Sequence, residues 1–293
     1  MTERSDLLIT ADELAAAVVA AADDGRPVRI LDVRWRLDRP NGRPDYEAGH
    51  IPGAVYVDLD RQLAKIGAPK EGRHPLPPVA QLQADARSWG IDDGDTVVAY
   101  DDLSNMSAAR AWWLLRHAGV DGARMLDGGL RAWRESGHPL EAGDVSVPPG
   151  SVSLGYGHLP VISIDEAGEY PRHGVLLDAR AAERYRGEVE PVDPRAGHIP
   201  GALSFPTASN VGDDGRFLDA PALRDRFGAL GVTNDVDVAT YCGSGVTAAH
   251  NAAALMLAGF EPALYPGSWS QWSQHADRPA ATGEEAPRVL PAE

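Results

Sequence analysis

The sequence predicts an α/β protein built from two similar halves in tandem, each a mainly parallel sheet flanked by helices. Three observations predict it. Short apolar, β-branched runs (VRILDV, TVVAY, VLLDA, VDVATY) alternate with helical stretches, and such runs are the mark of buried parallel strands. The runs and the motifs around them recur in the same order in both halves. A stretch rich in Gly, Pro and Ser, GDVSVPPGSVSLGYGHLP, separates the copies.

Taken in order, ILDVR at Ile30–Arg34 is matched by LLDAR at Leu176–Arg180. AGHIPGA at Ala48–Ala54, a Gly/Pro turn, returns at Ala196–Ala202. DTVVAY at Asp95–Tyr100 is answered by DVDVATY at Asp235–Tyr241, and an alanine-rich segment follows in each half, ending at Gly119 and Gly259. Each half closes on a Gly/Trp cluster, DGGLRAW and YPGSWSQW. These repeats place two domains at 1–143 and 159–284, a linker at 144–158, and a polar tail at 285–293 that is expected to fray. Before the first long strand, Leu14–Ala22 reads as an amphipathic helix capped by Thr10, with Glu13 three residues on. Asp32, Arg34, Asp178 and Arg180, with His50 and His198, occur in both copies and are assigned to structure. Trp112, Trp113, Trp133, Trp269 and Trp272 are assigned to the core or the domain interface.

Composition narrows the function. At 293 residues and 43% apolar the chain can bury a sizeable core. A formal net charge of −16 argues against nucleic acid or an acidic membrane surface as partner. The Leu14–Ala22 run is far shorter than the ~20 residues that span a bilayer. No signal peptide is read at the N-terminus. One cysteine cannot form an internal disulfide, so a cytoplasmic, reducing setting is expected. No metal-ligand spacing, GxGxxG or P-loop pattern occurs, so neither metal nor cofactor is expected.

The single cysteine, Cys242, lies in YCGSGVTAAHNAAALMLAGF, between a strand expected over Val236–Tyr241 and a helix expected over Ala248–Leu257. Ligands of open α/β sheets sit at the carboxyl ends of strands. Gly243 and Gly245 let the backbone curl so that several N–H groups converge on one point, and the helix adds its positive end. Such an environment favours a thiolate. A lone cysteine is more often a small buried hydrophobe, but a strand–Cys–Gly-x-Gly–helix arrangement is where a nucleophile is placed. The first half has Asp101 at this position, which cannot act as a soft nucleophile, so one copy reads as catalytic and the other as degenerate.

The tandem layout, the doubled GHIPGA, the late YPGSWSQW and above all CGSGVT resemble the two-domain rhodanese family of sulfurtransferases. The loop is similar to the 3-mercaptopyruvate sulfurtransferase type, because thiosulfate-preferring members carry cationic residues after the Cys where this sequence has Gly243 and Ser244. The resemblance implies that Cys242 takes a sulfane sulfur from 3-mercaptopyruvate, or alternatively thiosulfate, as a persulfide, and passes it to a thiol, thioredoxin or cyanide. It implies that Gly243, Gly245, Val246 and Thr247 bind substrate; the Thr247 hydroxyl is expected to cap the following helix or to bond the persulfide. Arg184, Arg186 and Arg195 precede the second GHIPG. By resemblance Arg184 lies beside the persulfide and substrate anion, and Arg195 is a second clamp. The resemblance further implies that Ser244 acts with Asp60 and His74 of the first domain. A Cys-dependent phosphatase is disfavoured because no Arg follows in the loop, and a non-catalytic binding module because CGSGVT is intact beside Arg184.

Overall fold

A computed structural model describes residues 3–24 and 27–286; of the tail expected at 285–293, residues 287–293 lie outside the described residues. Among the described residues nine strands form two sheets. β1 (Leu8–Ile9), β2 (Arg29–Asp32), β3 (Val55–Tyr56), β4 (Val97–Tyr100) and β5 (Ala123–Leu126) are ordered β1-β5-β4-β2-β3. β6 (Val175–Asp178), β7 (Leu203–Ser204), β8 (Val238–Tyr241) and β9 (Ala263–Leu264) are ordered β7-β6-β8-β9. Every pairing is parallel. β4 and β8 are buried at all four positions, which is why they read as unbroken apolar runs.

The duplication extends to register and to side chains. Asp32 pairs with Tyr100 and Asp178 with Tyr241 at the same point of each sheet. Each aspartate is fully buried and forks onto the arginine two residues on. That arginine in turn donates to the carbonyl of Gly49 or Gly197, the first residue of the GHIPG turn, at 2.9 and 2.7 Å. His50 and His198 each stack on a tyrosine and hold its carbonyl through Nδ1 at 2.8 Å. A buried Asp–Arg fork with its remaining donors satisfied is a structural element, so its presence in both copies follows.

Helix Ala11–Asp24 begins with the Thr10–Glu13 capping box: Glu13 N–H donates to Thr10 Oγ1 and Thr10 N–H to Glu13 Oε2. Residues 144–158 contain no helix or strand and lie against the first half, where Val152 N–H donates to Ile91 O and the Tyr156 hydroxyl to Pro77 O.

The halves pack face to face through helix Ala108–His117 of the first and helix Thr247–Leu257 of the second. Both faces are rich in alanine, which lets the backbones approach closely. One apolar cluster runs through both helices and includes Trp112, Trp113 and Leu255. All five tryptophans assigned to core or interface are buried.

Candidate active site

β8 ends at Tyr241 and delivers Cys242 to the head of helix Thr247–Leu257. The turn between them is possible because Gly245 has φ +80°; a Cβ there would lie 2.4 Å from Pro266 O. The YPGSWSQW segment clamps the loop from outside. Cys242 N–H donates to Ser268 Oγ at 3.1 Å, while Cys242 O and Gly243 O accept from Trp269 and Ser270 N–H. The curl brings Gly245 N–H onto Cys242 Sγ at 3.1 Å. Cys242 is almost wholly buried, at 1% exposure.

The first half shows what this junction is built to hold. Asp101, at the end of β4, is fully buried. Its carboxylate accepts from the amides of Leu103, Asn105, Ser107 and Ala108 at 2.7–2.9 Å. Burial pushes the carboxyl up, and these four bonds oppose it. In the first half the strand–loop–helix junction is therefore an amide nest closed around an acidic side chain; in the second half Cys242 occupies the same position, and one amide, that of Gly245, rather than several, bonds its sulfur.

Ser244 Oγ lies 2.7 Å from His74 Nδ1, and His74 Nε2 lies 2.9 Å from Asp60 Oδ1. Asp60 Oδ1 also accepts from Trp35 Nε1 at 2.9 Å, which fixes the carboxylate. A carboxylate can only accept, so Nε2 carries the proton and Nδ1 accepts from the Ser244 hydroxyl. His74 is 7% exposed rather than on an open loop. Burial lowers its pKa; the Asp60 bond raises it, and the Arg110 and Arg73 charges reinforce the lowering.

Two arginines of the first half were not singled out in the sequence. Arg110, fully buried in the interface helix, donates to Leu63 O, His74 O and Gly245 O, tying the histidine backbone to the cysteine loop. Burial lowers its pKa to about 10, against which the Tyr156 and Cys242 side chains act. Arg73 reaches the loop beside Arg184. A Cβ on Gly243 would stand 3.1 Å from Arg73 Nη2 and 3.5 Å from Arg184 Nη1. Local sequence marks Arg73 only as the neighbour of His74; the signal that could have found it is the face-to-face packing already needed to bring His74 to Ser244.

Two expectations are corrected. Arg195 is not a second clamp: its guanidinium donates to the carbonyls of Trp272, Ser273, His275 and Arg278 at 2.8–2.9 Å. Trp272 O and His275 O also accept from the amides of His275 and Arg278, so Arg195 braces the turns that follow helix Ser268–Trp272. Thr247 does not cap its helix. It is the first helical residue, and Val246, buried at the N-cap, supplies no side-chain cap. Arg186 is held by Glu188 and Glu284 on the surface. Arg184 Nη2 lies 2.7 Å from Glu190 and 3.3 Å from Asp193. A cavity of about 560 Å³, lined by Trp35, Asp60, Arg73, His74, Val192 and Asp193, opens at the domain seam beside this group.

A duplicated α/β domain with a single cysteine loop in its second copy defines a class, the cysteine-centred transferases of the rhodanese type. Comparison with known proteins agrees. The model of the rhodanese-like domain matches residues 14–136 and again 163–275. A Mycobacterium tuberculosis protein provisionally named thiosulfate sulfurtransferase SseB is 47% identical over 97% of this chain and 99% of its own. A Pseudomonas aeruginosa protein provisionally named 3-mercaptopyruvate sulfurtransferase is 46% identical over 94% of this chain and 98% of its own. The crystal structure of SseA from Escherichia coli, of the 3-mercaptopyruvate type, superposes with a TM-score of 0.78 at 33% identity, covering 89% of this chain and 98% of that one. The chain belongs to the rhodanese-like family and is a sulfurtransferase. Among the described residues no helix is long and apolar enough to cross a membrane.

Proposed function

We propose that the donor is 3-mercaptopyruvate and that Cys242 carries the sulfur. The Cys242 thiolate attacks the donor's sulfur. The C–S bond breaks, its electron pair passes to C3 as the enolate of pyruvate, and the donor's thiol proton ends on that carbon. Cys242–S–S⁻ remains, and a thiol or cyanide acceptor removes the outer sulfur. The carbon leaving group needs a proton, and the Ser244–His74–Asp60 line is the observation that carries this reading. Arg184 supplies positive charge for the donor's carboxylate. Gly243 supports it further: a cationic side chain there would crowd Arg73 and add a third like charge.

Thiosulfate is the second reading, favoured by the name of the mycobacterial relative. A side-by-side assay with the two donors tests the choice. Higher kcat/KM with mercaptopyruvate is expected, and faster turnover of thiosulfate overturns it. The proposed domain limits are 1–143 and 159–284, supported by the pairings of His50 with Glu141 and His198 with Ala281 that close each half. A cytoplasmic setting is proposed from the single free thiol.

A further inference from the structure

Asp193 is bound by guanidinium groups from opposite halves of the chain. It is ion-paired with Nη1 of Arg73, and its Oδ2 lies 3.3 Å from Nη2 of Arg184. Its side chain is 3% exposed. The same two guanidiniums flank Gly243, the residue after the nucleophile Cys242, which is itself 1% exposed. A carboxylate of the protein therefore occupies, beside the loop of Cys242, the two donors best suited to bind a substrate carboxylate.

Its neighbour Glu190 is held more firmly. Glu190 accepts from Arg180, from Arg184, and from the amides of Val192 and Asp193. Asp193 has the two arginines, and burial pushes its carboxyl up toward the neutral form. Pro191 and Pro194 stiffen the segment that carries it, whereas Gly187 and Gly197 bound that segment with φ of +78° and +108°. Glu190 and Arg195 anchor this segment on either side of Asp193, so it is the Asp193 side chain that can leave the two arginines.

We propose that Arg73 and Arg184 form the seat for the donor's carboxylate, and that Asp193 fills this seat in the free enzyme until the donor displaces it. The inference rests on the reading of the donor as an α-keto carboxylate. Arg73 is then a substrate-binding residue supplied by the half that lacks the cysteine, and neither half holds the seat alone.

With one cysteine in the chain, alkylation reports on Cys242 alone. Iodoacetamide and iodoacetate differ little in size, and the second carries a carboxylate. Asp193→Asn loses the ion pairs and is expected to raise the iodoacetamide rate roughly tenfold and the iodoacetate rate by more, as the vacated arginines recruit the anion. Arg73→Met also frees Asp193 from one partner but is expected to lower the ratio of iodoacetate to iodoacetamide rates roughly fivefold or more below that of Asp193→Asn, and Arg73→Lys to restore part of it. Thermal melts confirm that each variant is folded. Wild-type rates in folded Asp193→Asn, or a ratio in folded Arg73→Met as high as that of Asp193→Asn, overturn the proposal. If alkylation responds as stated while mercaptopyruvate is not turned over, the seat stands and the donor reading falls. If mercaptopyruvate is turned over while alkylation does not respond, the seat falls and the donor reading stands.

Discussion

His74 Nδ1 lies 2.7 Å from Ser244 Oγ, although 170 positions separate the two residues in the chain. The histidine belongs to the half whose own junction holds Asp101, the serine to the half that holds Cys242. The half without the nucleophile thus supplies His74, Asp60, Arg73 and Arg110 to the seam, and duplication has left two domains sharing one site.

The first prediction concerns the proton. Ser244→Ala removes the hydroxyl that donates to His74, and kcat with mercaptopyruvate is expected to fall about 100-fold. Thiosulfate turnover changes little, because sulfite departs without protonation at carbon. Steady-state rates with both donors check this; an equal loss for both would show that Ser244 serves the loop's shape instead.

The pH dependence has a definite sign. Burial holds His74 below the ordinary histidine value of 6.5, so the neutral ring is the working form at neutral pH. Acid places a proton on Nδ1 and ends its acceptance from Ser244. The acid limb of kcat/KM for mercaptopyruvate is therefore expected below pH 6.5. The group's contribution to stability is complete above 6.5 and is lost as pH falls from there through the lowered folded value. Asp60→Asn removes a raising influence and moves the limb lower still. A limb above pH 6.5 in the wild type contradicts the assignment.

Arg110→Met tests the cross-domain tie. Three buried carbonyls lose their donor, and each such loss costs about 1–3 kcal/mol. Urea unfolding is expected to show a loss of about 3 kcal/mol or more, with reduced activity in the protein that remains folded, because His74 and Gly245 are no longer held together. Wild-type stability would mean that water replaces the guanidinium.

Asp101→Ala separates structure from chemistry. Four amides lose their acceptor, and about 3 kcal/mol or more of stability should go with them. Sulfur transfer by the folded fraction is expected to match the wild type. A stable variant with lost activity would reverse the roles given to the two junctions.

Arg195→Ala and Arg184→Ala should differ in kind. The former removes donors from four carbonyls and is expected to lower Tm with KM unchanged. The latter is expected to raise KM for mercaptopyruvate roughly tenfold or more, through a lost charge-assisted bond. Melting curves and donor titrations distinguish them.

The α/β architecture was legible because β4, β8 and the GHIPG turns are local, and each is written twice. The cysteine loop was legible because glycines, strand end and helix start adjoin in sequence. Arg195 was misread because its place beside GHIPG says nothing about the carbonyls at the end of helix Ser268–Trp272, which only the folded chain brings to it. The cap assigned to Thr247 was misread because one residue of helix boundary separates a cap from a first turn. Arg73, Arg110 and Asp193 gain their meaning from packing between halves, and no local spacing records it.

The most direct test is the mass of the Cys242 peptide after the enzyme meets mercaptopyruvate without an acceptor. A gain of about 32 Da, one sulfur atom, lost again when thiol is added and absent in Cys242→Ser, is the predicted result. An unmodified Cys242 in an enzyme that still releases pyruvate would contradict the account.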